Sequence, residues 1–214
     1  MYVLVGMPVT PLWSIEVPSA HGLLRAFEPT QAEVLAAAGA LAGFNNDSHN
    51  AAMLTNTLEL TASDVVELYR ELRDGGGHPF LLECDGILMG DADFRGVKNA
   101  HAEFAIMVGA RSEQSRGLGT CYAVMVHQAA RLALGIRQVF CTIIPTNLAS
   151  RRMVEKLGYR LDKSPYGQSL IEADDDLAMA IDWQAFDLAH ADFLSRLVVA
   201  KRDPGNPIGA DRCR

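Results

Sequence analysis

The sequence predicts one α+β domain, with a mixed, mostly antiparallel sheet flanked by helices on both faces. Short apolar runs of strand length alternate with amphipathic segments that begin at capping residues. The apolar run at 136–145 (IRQVFCTIIP) is typical of a strand buried on both faces. The unit from Ala102 to Ile144 therefore predicts two parallel strands joined by a helix in a right-handed crossover.

The N-terminal segments are predicted in order from turn and cap signals. Residues 1–20 contain three prolines and show no clear period, which predicts an extended arm. The run HGLLRAFEP, at 21–29, predicts the first strand. Thr30 with Glu33 three residues later is a capping-box pattern and predicts a helix. A polar stretch at 45–50, NNDSHN, follows that helix.

The middle of the chain has clearer cap and turn signals. Ser63 is predicted to cap a helix that ends at three glycines. The segment 78–96 predicts two strands around a Cys-Asp-Gly turn. The run HAEFAIMVGA, at 101–110, predicts a longer strand, and the helix after it is closed by Gly135.

The last third predicts a helix that begins at Thr146 or Asn147 and ends at Gly158. The following segments are predicted to form two strands that close the sheet, one helix and a frayed tail: 159–163, 176–186, 187–203 and 204–214.

The chain is therefore divided into three parts, which are an arm at 1–20, a domain at 21–187, and a helix with a frayed tail at 188–214. The arm and the C-terminal helix are candidates for a homodimer interface. Packing within one chain is the alternative.

Composition excludes several classes of protein. The 214 residues are 49% apolar and 21% charged, which is typical of a globular domain with a sizeable core. The net charge of −7 and the pI near 5.3 argue against a nucleic-acid partner and are compatible with a cationic substrate.

The cysteines and the N-terminus bear on localisation. The four cysteines show no C-x-x-C spacing, so the sequence does not predict a zinc or redox site. We therefore expect a reducing, cytoplasmic compartment. The apolar N-terminus has no preceding Lys or Arg, and Pro8 and Pro11 interrupt it, so a signal peptide is not expected. No run is long enough for a membrane span. Three cysteines lie in apolar runs and one in the tail: Cys84, Cys121, Cys141 and Cys213.

The segment SEQSRGLGT, at 112–120, carries the first functional signal. Gln114, Gly117 and Gly119 form Q-x-x-G-x-G between a predicted strand and a predicted helix. Unpaired amides at a helix N-terminus attract anions, and glycines let a diphosphate approach them. Arg116 can add a charge-assisted contact. A tight turn with glycines for packing is the alternative interpretation, and the pattern is neither the Rossmann motif nor the P-loop.

The second signal is NLASRRMVEKLGYR, at 147–160. Together the two segments resemble the GNAT superfamily of acyl-CoA-dependent N-acyltransferases, and the Asn-x-x-Ser form with EKLGY is closest to the RimJ/RimL-type branch. The resemblance covers about 22–185, with its specific motifs between 101 and 160. It implies a GNAT-like domain with splayed central strands.

The resemblance implies acetyl-CoA or a related acyl-CoA as co-substrate, and no metal. Backbone groups of Met107, Val108 and Gly109 would pair with the pantetheine arm. Asn147 would contact the pantetheine or cysteamine end, and Arg152 a nucleotide phosphate. The pyrophosphate would lie on the loop residues Gln114, Ser115, Arg116, Gly117, Leu118, Gly119 and Thr120.

Family chemistry is direct attack of an amine on the thioester, which needs a base. Glu103 is the predicted base, because its place resembles that of the catalytic glutamate of histone-type GNAT enzymes, on the strand before the loop. Desolvation there would also raise its pKa and make it a better base. A structural glutamate paired with an arginine is the alternative, and His101 is the reserve base.

The amide of Val108 is the predicted donor to the carbonyl oxygen. Many family members have a tyrosine where this chain has Val154, which puts tyrosine acid catalysis in doubt. Ser150 is then the candidate acid, with a helix-surface hydroxyl as the alternative. Tyr159 is expected to pack in the core.

The predicted function is acyl transfer, most simply of acetyl, to a primary amine of a small molecule or a protein. A non-catalytic acyl-CoA sensor is the alternative, and an unrelated nucleotide-binding protein is a third class. The resemblance implies that the acceptor is selected mainly by the region between the first and third strands, here about residues 28–80. Four polar residues there are candidates, against the alternative of a solvated loop: Asn45, Asn46, Asp47 and His49.

Overall fold

The computed structural model describes residues 11–54 and 58–203. The predictions for the first ten residues, for Cys213 and for the tail at 204–214 lie outside the described residues.

The described residues form one nine-stranded sheet with the order β7-β8-β6-β5-β4-β3-β2-β1-β9. The strand bounds are β1 Leu12–Ser19, β2 Gly22–Phe27, β3 His78–Cys84, β4 Ile87–Lys98, β5 His101–Val108, β6 Gln138–Ile143, β7 Tyr159–Leu161, β8 Leu177–Ile181 and β9 Val198–Arg202.

Within the same ranges there are seven α-helices and one short 3₁₀ turn at Arg111–Glu113. The helix bounds are α1 Gln31–Asn46, α2 Ser48–Met53, α3 Ala62–Asp74, α4 Leu118–Leu132, α5 Leu148–Lys156, α6 Pro165–Gln168 and α7 Trp183–Leu194.

Helices cover both faces of the sheet, as predicted. Side chains alternate along a strand, and neighbouring residues indeed enter different cores. Ala26 and Leu82 belong to the larger core, which contains α4, whereas Phe27 and Leu81 belong to a second core with α1 and α3. The strands pair antiparallel except for β5 with β6, which confirms the predicted parallel unit.

The first strand begins earlier than predicted. Residues 12–19 are β1, not an arm, and they pair antiparallel with β2. Ile15 and Val17 are fully buried in the larger core. This two-residue alternation was the available strand signal, and Pro18 at the end of the strand obscured it.

The C-terminal prediction was also wrong in its element types. The last predicted strand ends at Ile181, and Asp182 then caps α7 by accepting from the amides of Gln184 and Ala185. The predicted helix at 187–203 ends at Leu194, and β9 pairs antiparallel with β1. An edge strand that depends on a partner far away in sequence leaves little local signal.

Capping was predicted correctly at one helix and misplaced at another. Thr30 and Glu33 form the predicted capping box. The cap of α3 is Thr61 rather than Ser63. Thr61 Oγ1 accepts from the amide of Asp64, and the Thr61 amide donates to the Asp64 carboxylate in return. The polar stretch at 45–50 is not a loop but the junction between α1 and α2.

A buried histidine ties α4 to β7. His127 Nδ1 lies 2.7 Å from the carbonyl oxygen of Ala123, so it donates there, and Nε2 accepts from the Tyr159 hydroxyl at 2.6 Å. Burial lowers the pKa of His127 to about 3 and keeps the ring neutral. Tyr159 is fully buried, as expected.

Tyr159→Phe is expected to lower the free energy of unfolding by about 1–3 kcal/mol, because it leaves His127 Nε2 buried without a donor. Urea denaturation checks this. Tyr122→Phe is the matched control, since the buried Tyr122 hydroxyl has no hydrogen-bond partner within 11–54 and 58–203. Equal stability losses in both variants would contradict the account.

Candidate functional site

The ladder between the two parallel central strands is short. Only His101, Ala102 and Glu103 of β5 have β6 partners among the described residues, whereas β5 stays paired with β4 as far as Val108. The second half of β5 therefore parts from β6, which agrees with the predicted splay.

The orientation of the peptide between Met107 and Val108 determines the direction of the Val108 amide. A Cβ atom on Gly90 of β4 would overlap the carbonyl oxygen of Met107, so that oxygen faces β4. Because the C=O and the following N–H of a trans peptide point in opposite directions, the Val108 amide is directed away from β4, toward the splay.

The glycine loop ends at the N-terminus of α4. Gly117 is the N-cap with φ 90°, and Ser115 has φ 61°, so the backbone is left-handed at two nearby positions. Glycine adopts this conformation without strain. The first amides of α4 are thus presented beside a residue that has no side chain, which suits an anion.

Asn50 of α2 joins the loop to the end of β5. Its Nδ2 donates to the carbonyl oxygens of Phe44 at 2.9 Å and Gly109 at 3.1 Å. Its Oδ1 accepts from Gln114 Nε2 at 2.8 Å, and Gln114 Nε2 also donates to the carbonyl oxygen of Val108 at 2.8 Å. Gln114 therefore holds the loop against β5.

The opposite side of the splay is fixed by Asn147. Its Oδ1 caps α5 by accepting from the Ser150 amide at 3.0 Å. Its Nδ2 donates to the carbonyl oxygen of Met53 at 3.3 Å. Helix α2 thus spans the opening between β5 and α5.

These elements enclose a cavity of about 470 Å³, called here the glycine-loop cleft. Arg152 and Lys156 of α5 line it and give it a basic side, and its acidic lining residue, Glu113, is paired with Arg116. Its lining includes nine of the predicted cofactor residues: Met107, Val108, Gln114, Ser115, Gly117, Gly119, Thr120, Asn147 and Arg152.

Three predicted cofactor residues are outside the described lining of this cleft. Gly109 is buried, and a Cβ atom there would overlap Phe44. Arg116 is exposed and pairs with Glu113 at 2.5 Å. Leu118 is buried in the larger core.

A second cavity, of about 490 Å³, lies between β4, β5 and α3 and is called here the acidic cavity. It shares Leu54, Ile106 and Met107 with the glycine-loop cleft, so the two cavities adjoin along β5. Its ionisable lining residues are Tyr69, Glu71, Asp91, Asp93 and Arg95.

Two carboxylates of β4 have different partners in the acidic cavity. Asp93 accepts from Arg95 Nε at 2.7 Å and Nη2 at 2.6 Å, a bidentate pair. Asp91 instead accepts from the Tyr69 hydroxyl at 2.9 Å. Burial raises the pKa of Asp91 to about 6, and the Tyr69 hydrogen bond opposes that rise.

Glu103 lies where the β5–β6 ladder ends, and it lines neither cavity in the described structure. It faces Arg95 across the strand pair and accepts from Thr142 Oγ1 at 3.4 Å. Burial raises the pKa of Glu103. His101 stacks edge-on against Tyr166 at the same end of β5.

Ser150, the candidate acid, and Val154, which stands where many family members have a tyrosine, differ in exposure. Ser150 is half-buried and lines the glycine-loop cleft. Val154 is buried in the larger core. A tyrosine hydroxyl at that position would therefore need a different packing of α5.

The four polar candidates for the acceptor site are dispersed. Asn45 lines the acidic cavity, whereas His49 lines the glycine-loop cleft. Asn46 Nδ2 donates to the carbonyl oxygen of Leu60, and Asn46 Oδ1 accepts from the Leu60 amide. Asp47 caps α2.

Asp91 is the main site residue that sequence reasoning missed. The signal was present as two aspartates, Asp91 and Asp93, alternating with Gly90, Ala92 and Phe94 on a strand. That pattern places both carboxylates on one face. Only the packing of α3 over that face makes it a cavity.

The family of the chain follows from its sequence. A GNAT acetyltransferase domain model matches residues 23–160, and the chain belongs to this family. Among curated protein sequences, none is similar enough to count as a match.

Solved structures share the fold at low sequence identity. RimJ of Mycobacterium smegmatis, in complex with CoA-disulfide, has 17% identity and a TM-score of 0.66, over 88% of this chain and 99% of that one. Spermidine N-acetyltransferase of Vibrio cholerae, with CoA and spermine, has 15% identity and a TM-score of 0.61, over 76% and 97%. An aminoglycoside acetyltransferase with coenzyme A and kanamycin has 18% identity and a TM-score of 0.62, over 77% and 98%.

Membrane-spanning helices and metal-binding clusters are both absent from the described residues. No helix in 11–54 and 58–203 has the length and apolar character needed to cross a bilayer. The same residues contain no group of three or more His, Cys, Asp or Glu side chains arranged to hold a metal ion.

Asn50→Ala is expected to loosen α2, because it removes the hydrogen bonds to Phe44, Gly109 and Gln114. Amide hydrogen exchange should become faster at 48–53 and stay unchanged in α4. His49→Ala, an exposed residue of the same helix, is the control. Unchanged exchange at 48–53 in Asn50→Ala would contradict the proposed bridging role of α2.

Proposed function

We propose that this protein transfers an acyl group, most simply acetyl, from acyl-CoA to a primary amine that binds as a cation. One observation carries the proposal: a basic cleft and an acidic cavity adjoin at Ile106 and Met107, on the strand that parts from its neighbour. The two co-substrates would meet there.

The glycine-loop cleft supports acyl-CoA as the donor. The N-terminus of α4 and the cations Arg152 and Lys156 suit the phosphates of CoA. The splayed edge of β5 offers backbone groups to the amides of pantetheine. Asn147 Nδ2, which donates to Met53 in this structure, would serve the same arm.

The acidic cavity supports a cationic acceptor. Because Arg95 is paired with Asp93, Glu71 and Asp91 give the cavity a net negative charge. An ammonium group would be attracted there, and a carboxylate would be repelled.

The remaining catalytic roles follow from position. The Val108 amide would donate to the thioester oxygen as it becomes negative, and being fixed in a strand it needs little reorganisation. Ser150 is the candidate donor to the departing sulfur. Glu103 stays a predicted base: it lies opposite Arg95 of the acidic cavity but outside the described lining of both cavities.

Bound ligands of proteins with the same fold fit this proposal. The Vibrio cholerae enzyme has CoA and spermine, and the aminoglycoside acetyltransferase has coenzyme A and kanamycin. Both amine ligands are polycations.

The direct test is thiol release from acetyl-CoA with a panel of amines: spermidine, kanamycin, lysine and a peptide with a free N-terminus. Calorimetry with acetyl-CoA is run beside it. Turnover on a cationic amine is expected. Binding without turnover on the panel would favour the non-catalytic sensor, and no binding at millimolar acetyl-CoA would overturn the proposal.

Gly117→Ala is expected to weaken acetyl-CoA binding about tenfold or more, because a side chain at φ 90° costs about 1–2 kcal/mol and shifts the loop. Gly76→Ala is the matched control. Gly76 has φ 78°, and a Cβ atom there, as at Gly117, would meet no atom within 4 Å. Gly76 is not among the residues that line the glycine-loop cleft. Calorimetry should show unchanged affinity in the control, and equal losses in both variants would argue against a loop that binds CoA.

Glu71→Gln is expected to raise the KM for a cationic amine about two- to fivefold, since it removes one charge from the acidic cavity. The KM for acetyl-CoA should not change. Glu67→Gln, an exposed residue one turn earlier on α3, is the control. Equal amine KM values for wild type and Glu71→Gln, measured at low ionic strength, would contradict the charge argument.

A further inference from the structure

The hydrogen-bonded pair of Tyr69 and Asp91 lies at the junction of the two cavities. Asp91 is directly opposite Met107 in the β4–β5 ladder, and Met107 lines both cavities. The Cβ atoms of opposed residues in such a pair are about 5 Å apart. Asp91 therefore lies opposite the residue that precedes Val108, and the Val108 amide is directed toward the splay.

We propose that Asp91 is the base that takes the proton of the bound amine, and that Tyr69 is the positioning residue for Asp91. This inference rests on the acyl-transfer function proposed above. Tyr69 donates to Oδ2 of Asp91, so Oδ1 is the oxygen assigned to the amine.

The surroundings of Asp91 separate it from the other carboxylates. Asp93 is occupied by the guanidinium of Arg95, whereas Asp91 is held by a neutral hydroxyl. A neutral donor fixes the carboxylate without the permanent charge that would make it a poor base. Leu81 of β3 and Met107 of β5 lie opposite Asp91 in the sheet. The polar and charged residues that line the acidic cavity with Asp91 are Asn45 of α1, Tyr69 and Glu71 of α3, and Asp93 and Arg95 of β4.

The anchor of Asp91 is itself rigid. Tyr69 is buried at 8% exposure in the second core, where α3 packs on α1. Its ring therefore holds the hydroxyl at a fixed point above β4. Glu103, by comparison, is linked to Thr142 of β6 and faces Arg95, outside both cavities.

The proposed step balances as follows. The ammonium gives one proton to Asp91, the free amine forms an N–C bond to the thioester carbon, and the C–S bond breaks. The second proton lost by the nitrogen ends on the sulfur of CoA, which leaves as the thiol. Asp91 returns its proton to water.

The test is the pH dependence of kcat and kcat/KM for wild type, Asp91→Asn and Tyr69→Phe, with the best amine of the panel above. In wild type, kcat/KM should rise through about pH 6, where Asp91 ionises. Asp91→Asn should lose that inflection and lower kcat about 10²–10³-fold, with the deficit shrinking as pH approaches the pKa of the free amine. Its affinity for acetyl-CoA should not change.

Tyr69→Phe keeps the ring and removes the hydroxyl, so the inflection should move to higher pH, because the lost hydrogen bond stabilised the carboxylate. Tyr122→Phe, whose hydroxyl is buried on α4, is the control and should match wild type. An inflection that stays in place in Tyr69→Phe would overturn the positioning role.

Retention of the inflection and of kcat in Asp91→Asn would overturn the assignment of the base, as would its loss in Glu103→Gln instead. Both results leave the acyl-transfer proposal standing. A wild-type protein that binds acetyl-CoA but acetylates no amine would overturn that proposal, and this inference with it.

Discussion

The early end of the ladder between β5 and β6 is the constraint on which the rest of the site depends. After Glu103, β5 keeps its pairing with β4 but loses its β6 neighbour within the described residues. A sheet edge inside a domain must find other hydrogen-bond partners. Here Gln114 supplies one at Val108, and the direction of the Val108 amide makes the same edge a template for an extended ligand.

The splay also separates charge. Its α5 side carries Arg152 and Lys156, and the other side carries the carboxylates Glu71 and Asp91. In the proposed reaction, an anionic donor and a cationic acceptor would be attracted from different sides to one stretch of β5. This arrangement gives the acidic chain a local basic region that its net charge of −7 does not suggest.

Local features of the fold were predictable, whereas pairing partners were not. The capping box at Thr30, the Asp85–Gly86 turn and the N-cap at Asn147 depend on a few adjacent residues, so the sequence contains their full signal. Strands β1 and β9 stabilise each other across most of the chain length. Neither Leu12–Ser19 nor Val198–Arg202 has enough local pattern to predict that contact.

The same distinction applies to the candidate site. The glycine loop and the Asn-x-x-Ser segment are contiguous motifs, and most of the residues predicted from them line one cleft. Asp91 was missed because its environment depends on α3, more than fifteen residues away in sequence and joined to it through Tyr69. Glu103 stays a prediction made from its position on the strand before the loop, whereas its place relative to the cavities depends on packing that a sequence does not reveal.

A crystal structure of the protein with CoA tests the central claim most directly. The pyrophosphate is expected on the loop Gln114–Thr120, and the pantetheine arm along β5, on the side that faces β6. The sulfur should lie near Val108, at the junction with the acidic cavity. CoA bound elsewhere, or a β5–β6 ladder that closes beyond Glu103 in the complex, would contradict it.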